Sequence, residues 1–178
     1  YGRDHLVGGL GRLSWKKNWM LMVRAAELLA RESFPVQWVL AGDGPDRAEL
    51  EMAIQRAGLA GRFHLLGFRA DATRLLRQLD LLCFPSLMEG ASVTVREAMA
   101  LGVPVVAADA PGVVESLAGH GWIVPGDDPA ALAAAVRAAL ENPAARQARA
   151  AAAREHARAA YDYEQTVAAT LAAYAAVR

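Results

Sequence analysis

The sequence predicts an α/β domain built on a doubly wound, Rossmann-like parallel sheet. Two observations lead to this prediction: short apolar runs alternate with helical patterns, and most of these runs are continuously apolar instead of alternating with polar residues. A strand that is apolar on both sides is covered on both faces, which is typical of a parallel sheet between two helix layers. Ligands of such sheets bind at the carboxyl ends of the strands, so we expect a site in the loops that follow them.

Six strands and five helices are predicted for residues 1–128, which we assign to the α/β core. Gly, Pro or Asp bound most of the apolar runs, which lie at 5–10, 36–41, 63–66, 81–84, 105–107 and 122–124. The helical patterns between them lie at 18–31, 45–57, 72–78, 92–101 and 113–117.

Three further helices are predicted for residues 129–178. Of the last 49 residues 23 are Ala, a composition that favours helix. The helices are expected at 129–141, 144–158 and 163–177, with a break at Asn142-Pro143. The last helix carries one apolar stripe, formed by Tyr163, Val167, Leu171 and Tyr174. One interpretation is ordinary packing of this stripe against the domain.

Composition excludes several classes of protein. Hydrophobic residues make up 54% of the 178 residues, which supports a substantial core and argues against disorder. The formal net charge is zero, so we expect no general attraction to nucleic acid. The single Cys83 excludes an intrachain disulfide, and four histidines without ligand spacing argue against a metal site. No signal peptide or membrane span is recognisable, so a cytoplasmic protein is expected.

The most informative segment runs from Glu89 to Glu97. Seven residues separate the two carboxylates, and between them Gly90 and Ser92 indicate a turn followed by a helix start. A strand, a turn and a helix N-terminus can hold an anion on free backbone N–H groups. With Ser92 as the N-cap, the carboxylates would lie roughly 10 Å apart, about the span of a ribose, a diphosphate and a sugar. The alternative is a capped surface helix with solvated glutamates.

A basic loop follows the first strand. Gly11 permits close approach of the backbone, and Arg12 and Lys17, with Lys16 beside them, supply cations suited to phosphate. The alternative is a solvated basic loop. The pattern lacks the third glycine of a dinucleotide-binding fingerprint, which argues against a dehydrogenase. A phospho-receiver module would need clustered acidic residues at the end of its first strand to bind magnesium. The residues that follow the first strand here are basic, which argues against that class of protein.

Two more loops follow predicted strands. For the segment Gly42-Asp43-Gly44-Pro45, the preferred interpretation is a tight turn that leads into a helix, with Pro45 at the first helical position. The segment Gly67-Phe68-Arg69 follows the third strand, and its Phe68 is either a core residue or a surface on which a base stacks.

The order and spacing of these motifs resemble the C-terminal, donor-binding domain of retaining glycosyltransferases of family 4 (group 1 glycosyltransferases). This family has the two-domain GT-B fold and uses nucleotide-sugar donors. Beside the Glu89–Glu97 segment, the resemblance covers nearly the whole chain in six segments: 11–14 with Lys17, 41–45, 66–69, 97–106, 111–115 and 121–125. The sequence departs from the family at Trp15-Lys16, where Pro-Glu is common, at Asn18, where Gly is common, and at Ala91-Ser92, where Phe-Gly is common. Asn18 is expected to cap the helix that follows it.

The resemblance implies a role for each motif. Arg12 and Lys17 would bind the diphosphate of the donor and neutralise the charge of the leaving group. Glu97 would accept hydrogen bonds from the ribose hydroxyls, and Glu89 would lie beside the transferred sugar. The expected catalytic residues are Glu89, Arg12 and Lys17, and no metal ligand is expected. The full expected donor-binding set is Gly11, Arg12, Lys17, Gly42, Gly67, Phe68, Arg69, Glu89, Gly90, Ala91, Ser92, Val93 and Glu97, with the N–H groups of residues 90–92 facing sugar hydroxyls or phosphate.

The implied function is hexosyl transfer with retention, from a UDP-, GDP- or ADP-linked sugar to a glycan or lipid-linked acceptor. The nucleotide sugar is a substrate, and no cofactor is expected. Because the first predicted strand follows almost directly on Tyr1, we expect an excised piece that lacks an N-terminal acceptor domain and is inactive alone. In the family the last helix crosses back to that domain, which would leave part of the apolar stripe without its partner here. The same domain would provide any contact with the inner face of the membrane. The alternatives are a nucleotide-sugar epimerase of the same fold and a nucleotide-binding regulatory module without chemistry.

Overall fold

The computed structural model describes residues 4–176, which contain one six-stranded sheet flanked by helices. All neighbouring strands are parallel, in the order β3-β2-β1-β4-β5-β6. The strands are β1 (His5–Leu10), β2 (Val36–Ala41), β3 (Phe63–Gly67), β4 (Leu81–Phe84), β5 (Val105–Ala108) and β6 (Trp122–Val124). The predicted fold class is confirmed, and each predicted strand is present within one residue of its predicted ends.

The helices occupy the segments between and after the strands. A short 3-10 helix at Trp15–Lys17 precedes α1. The α-helices are α1 (Trp19–Arg31), α2 (Arg47–Arg56), α3 (Ala72–Leu76), α4 (Val93–Leu101), α5 (Pro111–Leu117), α6 (Pro129–Glu141), α7 (Pro143–Ala160) and α8 (Tyr163–Ala176). The predicted end of the last helix, at residue 177, lies outside the described residues.

The prediction that α2 begins at Pro45 is wrong by two residues. The Asp46 N–H donates to the Leu13 carbonyl at 3.1 Å, and the Arg47 N–H donates to the Gly44 carbonyl at 3.2 Å. These bonds hold Pro45 in a turn that is attached to the loop after β1, so the helix starts only at Arg47. The turn interpretation of this segment is correct, and Asp43 contributes to it by accepting a hydrogen bond from the Gly44 N–H at 2.7 Å.

The core lies on both faces of the central strands β1 and β4. Leu81, Leu82, Cys83 and Phe84 are fully buried, as the continuous apolar run predicts. Helices α1 and α6 pack against each other, as do α4 and α7. No helix in the described part of the chain combines the length and the apolarity needed to cross a membrane.

The interpretation that the apolar stripe of α8 packs on this domain is wrong. Helix α8 contains no buried residue among its described positions. The side chains of the stripe, Tyr163, Val167, Leu171 and Tyr174, are all exposed. Helical periodicity therefore identified an apolar face correctly but not the surface that would cover it.

The strand order creates a crevice between the loops that follow β1 and β4. These strands are neighbours at the centre of the sheet, and the chain leaves β1 toward β2 on one side and β4 toward β5 on the other. Such a switch point is where ligands bind to doubly wound sheets. The carbonyl of Lys16 joins the two loops, because it accepts a hydrogen bond from the Leu87 N–H at 2.9 Å and lies 3.1 Å from Ser86 Oγ.

Candidate functional site

A cavity of about 370 Å³ opens at the carboxyl end of the sheet. Its walls come from the ends of β1 and β2, from the loop after β3 and from α4, so several predicted motifs meet in it. The volume is in the range of small-molecule binding sites. The residues that line the cavity are Leu10, Gly11, Arg12, Ala41, Gly42, Asp43, Phe68, Arg69, Ala72, Thr94 and Glu97.

Backbone atoms form the floor of the cavity, because β1, β2 and β3 end in close contact. The Gly11 N–H donates to the Ala41 carbonyl at 3.0 Å, and the Gly42 N–H donates to the Gly67 carbonyl at 2.8 Å. Gly42 has a φ of 147°, and a Cβ atom there would overlap the carbonyl oxygen of Gly11. Only glycine permits this approach. The predicted donor-binding residue Gly67 supports the floor and does not itself line the cavity.

Phe68 and Arg69 form the wall that the loop after β3 contributes. Phe68 is 79% exposed, so its interpretation as a core residue is wrong and its ring is available for stacking. Arg69 donates from Nε and Nη2 to the two carboxylate oxygens of Asp71, each at 2.8 Å. These hydrogen bonds hold the pKa of the Asp71 carboxyl below its ordinary value and raise the pKa of the Arg69 guanidinium. The bidentate pair limits the movement of Arg69 at the cavity wall.

Helix α4 provides the opposite wall through Thr94 and Glu97. Ser92 is the N-cap, as predicted, because its Oγ accepts a hydrogen bond from the Val95 N–H at 3.3 Å. Glu97 is exposed and forms no ion pair with any residue between 4 and 176. Its carboxylate can therefore accept hydrogen bonds from a ligand. The sequence analysis missed Thr94, although its three-residue spacing from Glu97 places both on one helix face.

Lys17 and Glu89 lie beside the cavity, where they form an ion pair between the loops after β1 and β4. Their side chains are 24% and 11% exposed, respectively, so both are largely enclosed by protein. Ser86 Oγ donates to Glu89 Oε1, the oxygen that also contacts Lys17, at 2.8 Å. Lys17 Nζ lies 5.1 Å from the centre of the Phe84 ring. Sequence analysis proposed both charged residues for the site but did not predict their contact, and it missed Ser86.

The ion pair adjoins the cavity through Gly11 and Arg12. A Cβ atom at Gly11, in the cavity wall, would lie only 3.7 Å from Lys17 Cε. Arg12 lines the cavity with an exposed side chain, and its carbonyl accepts a hydrogen bond from Trp19 Nε1 at 2.9 Å. The loop after β1 thus carries two cationic side chains: Lys17 is held by its ion pair, and Arg12 is exposed on a backbone that Trp19 fixes. Nowhere from residue 4 to residue 176 do three His, Cys, Asp or Glu side chains lie close enough to hold a metal ion.

The loop from Gly90 to Ser92 begins beside the ion pair and ends at α4. Gly90, Ala91 and Val93 are exposed, whereas Ser92 is buried. Among the described residues, the N–H groups of Gly90, Ala91 and Ser92 have no hydrogen-bond acceptor. The first turn of α5 supports this loop, since a Cβ atom at Gly112 would overlap the carbonyl oxygen of Gly90. The loop therefore offers backbone donors at the helix N-terminus, the feature expected of an anion site.

Asn18 does not cap α1 with its side chain, so that prediction is wrong. Its backbone is left-handed, with a φ of 52°, a conformation that Asn and Gly tolerate better than other residues. This explains how Asn can stand where Gly is common. Asn18 Nδ2 donates instead to the Gly126 carbonyl at 2.8 Å, and the Gly126 N–H donates to Asp109 Oδ1 at 3.2 Å. These bonds join the loops after β1, β5 and β6.

Sequence comparison connects this geometry to known proteins. Residues 4–142 match the family model of the group 1 glycosyl transferases. The 2-deoxystreptamine glucosyltransferase of Streptomyces kanamyceticus is 32% identical over 146 residues, which are 78% of this chain and 37% of that protein. The amylovoran biosynthesis glycosyltransferase AmsK of Erwinia amylovora is 33% identical over 135 residues, or 70% of this chain and 33% of the relative. The chain thus spans about a third of the length of these curated relatives.

Structure comparison finds the same fold in solved proteins. HepE from Anabaena, in complex with UDP-glucose, is 30% identical and superposes with a TM-score of 0.87 over 96% of this chain and 49% of that chain. A structure of HepE in complex with UDP matches with a TM-score of 0.88 at 29% identity. The C-terminal domain of LpcC, a group 1 family protein of Francisella tularensis, superposes with a TM-score of 0.79. The superposition covers 90% of this chain and 88% of the LpcC chain. At 23% identity, this last likeness shows the fold alone.

Proposed function

Because the chain belongs to the group 1 glycosyl transferases, we propose that it is the donor-binding domain of a retaining hexosyltransferase with the GT-B fold. The observation that carries the proposal is the meeting of Arg12, Phe68 and Glu97 in one cavity beside the Lys17–Glu89 pair. The UDP and UDP-glucose complexes of HepE support a nucleotide sugar as the ligand. They also make UDP the first nucleotide to test, ahead of GDP and ADP.

Each part of the donor has a chemically suitable partner in this proposal. The base stacks on the exposed ring of Phe68, and the ribose hydroxyls donate to the Glu97 carboxylate. The diphosphate lies between the guanidinium of Arg12 and the ammonium of Lys17. The hexose then reaches the loop that starts at Glu89, whose backbone N–H groups can bind phosphate oxygens or sugar hydroxyls.

The proposed reaction exchanges one bond at the anomeric carbon for another on the same face. The bond from this carbon to the diphosphate oxygen breaks, the carbon becomes oxocarbenium-like, and the acceptor oxygen forms the new bond. The acceptor proton passes to an oxygen of the departing phosphate. Arg12 and Lys17 stabilise the growing negative charge of the diphosphate, an effect commonly worth a few kcal/mol per donor. Glu89 stabilises the positive charge on the sugar and orients its hydroxyls.

The acceptor site belongs, in this proposal, to an N-terminal domain. The matched segments make up only 33% and 37% of the two relatives described above, which supports a larger complete enzyme. The uncovered apolar stripe of α8 supports a further packing surface. A glycan or glycolipid acceptor agrees with the role of AmsK in amylovoran biosynthesis. We therefore expect residues 1–178 alone to bind donor nucleotide but not to transfer sugar.

Calorimetric titration of the purified chain with UDP, GDP and ADP tests the donor-binding role. We expect binding of one of them, with the same affinity in EDTA, because protein cations take the place of a metal. Failure of all three to bind would contradict the proposal, and loss of affinity on chelation, restored by magnesium or manganese, would contradict its metal independence. Product analysis with the complete enzyme then tests the chemistry. A product in which the altered sugar is still attached to the nucleotide would indicate an epimerase instead.

A further inference from the structure

Ser86 is a buried hydroxyl between the two loops that carry Lys17 and Glu89. It follows β4 after one proline, and the residue is only 1% exposed. Its Oγ lies 2.8 Å from Glu89 Oε1, 3.1 Å from the Lys16 carbonyl oxygen and 3.4 Å from the Met88 carbonyl oxygen. The proposed function gives this residue no role, although it contacts a proposed catalytic residue.

The single proton of the Ser86 hydroxyl has three acceptors within reach. The Glu89 carboxylate oxygen is the nearest and the only charged one, and charged acceptors form the stronger hydrogen bonds. The Lys16 carbonyl already accepts a hydrogen bond from the Leu87 N–H. The proton is therefore directed to Glu89.

The two oxygens of Glu89 are in different situations. Oε1 contacts both Ser86 and Lys17, whereas Oε2 has no hydrogen-bond partner among the described residues. In the proposed reaction, Lys17 is also needed by the diphosphate, so its contact with Glu89 is shared with the substrate. Ser86 is buried, so a bound substrate does not compete with Oε1 for its hydroxyl.

We propose that Ser86 is a positioning residue for Glu89. It holds Oε1, so that Oε2 is presented to the donor sugar and the carboxylate stays in place while Lys17 moves toward the diphosphate. This inference rests on the proposed function, because it assigns Ser86 a role only through Glu89 in sugar transfer. It predicts an effect on turnover that is separate from nucleotide binding.

The test compares Ser86→Ala with wild type in the enzyme that includes its N-terminal domain. We expect kcat to fall roughly 10- to 100-fold, as for loss of a hydrogen bond to a charged group, with the donor KM changed by less than about threefold. The Leu87–Lys16 bond keeps the loops together in this variant. Ser116→Ala is the matched control, since it also removes a buried hydroxyl, one that donates to the Gly112 carbonyl, and it should keep wild-type kcat.

A double-mutant cycle with Glu89→Gln distinguishes positioning from general structural damage. If Ser86 acts through the Glu89 carboxylate, adding Ser86→Ala to Glu89→Gln should lower kcat by less than about threefold. Ser86→Thr, which keeps the hydroxyl, should restore most of the rate. Should Ser86→Ala unfold the enzyme, Ser86→Cys, which keeps a weaker donor at this position, takes its place in the cycle.

Three results would overturn the inference. The first is a Ser86→Ala variant whose kcat equals that of wild type. The second is a loss of kcat on Ser86→Ala that is equally large in wild type and in Glu89→Gln. The third is a Ser86→Ala variant in which only the KM for the donor changes. All three require wild-type enzyme that transfers sugar, so they leave the proposed function intact. No transfer by the wild-type enzyme would contradict the proposed function itself and this inference with it.

Discussion

Lys17 and Glu89 form an ion pair although 72 positions separate them in the sequence. The family resemblance implies a diphosphate contact for Lys17 and a sugar contact for Glu89, two different parts of the donor. In a largely enclosed site the two charges pair with each other, because an uncompensated buried charge is costly. A diphosphate that recruits Lys17 must therefore compete with Glu89. This competition leads to different expectations for the two glutamates of the site.

Glu97→Gln should weaken the binding of UDP about tenfold or more. Each lost charge-assisted hydrogen bond to a ribose hydroxyl costs roughly 1.5–3 kcal/mol. Isothermal titration of the isolated chain measures this change. Glu141→Gln, at the exposed end of α6, is the matched control and should bind UDP like wild type. Unchanged affinity in Glu97→Gln would contradict the ribose assignment.

Glu89→Gln should leave the affinity for UDP unchanged or raise it up to about fivefold. The variant releases Lys17 from its ion pair, so the diphosphate no longer competes with a carboxylate for the ammonium, and a gain of about 1 kcal/mol corresponds to about fivefold in affinity. In the complete enzyme, the same variant should lower kcat by about a hundredfold, because in our proposal Glu89 stabilises charge that develops in the transition state. Titration and turnover are measured side by side. Equal losses of UDP affinity in Glu89→Gln and Glu97→Gln would contradict the separate roles.

Lys17→Met should weaken UDP binding about tenfold while leaving the binding of uridine unchanged. Only UDP carries the diphosphate that the ammonium contacts in our proposal, and a hydrogen bond between charged groups is worth about 1.5–3 kcal/mol. Lys16→Met is the control, since the exposed Lys16 ammonium lies over the Trp15 ring at 5.7 Å. A parallel loss of uridine affinity in Lys17→Met would indicate structural damage instead of a lost phosphate contact.

Gly42→Ala should destabilise the domain by more than about 3 kcal/mol or prevent folding. Its Cβ atom would overlap backbone of the β1 loop, which has no flexible side chain that could move away. Gly58→Ala is the matched control: its φ of 66° is also left-handed, but no atom lies within 4 Å of a Cβ atom there. It should cost only about 1–2 kcal/mol. Urea denaturation monitored by circular dichroism measures the free energy of unfolding of both variants. An equal loss of stability in Gly42→Ala and Gly58→Ala would contradict the close approach of the Gly42 and Gly11 backbones.

Cys83 should make the domain less stable as the pH rises. Burial raises the pKa of this thiol. Above the unfolded pKa of about 8.5, the unfolded chain loses a proton that the folded chain keeps, so the free energy of unfolding falls by up to about 1.4 kcal/mol per pH unit. Urea titrations between pH 7 and pH 10, compared with Cys83→Ala, isolate this contribution. Identical pH slopes would contradict it, as would rapid reaction of the native thiol with a disulfide reagent.

The sequence alone determined the fold class and the approximate position of the site. Continuous apolar runs such as 81–84 need cover on both faces, and only a parallel sheet between helices offers it to so many strands. Since all these strands run in one direction, their following loops meet at one edge of the sheet. This is why Arg12, Phe68 and Glu97, which are far apart in the chain, line one cavity, although their expected roles came from the family resemblance.

Tertiary structure decided which of these residues touch and which surfaces are covered. The exposure of Phe68, the uncovered stripe on α8 and the Asn18–Gly126 bond have no local sequence signal. The contacts that join Lys17, Glu89 and Ser86 likewise depend on the central pairing of β1 with β4. Local sequence sets backbone preference and the apolar side of each element, because both depend on residues a few positions apart. The partner of a charged or polar group depends on which loops the sheet order brings together, and a short motif carries no information about that.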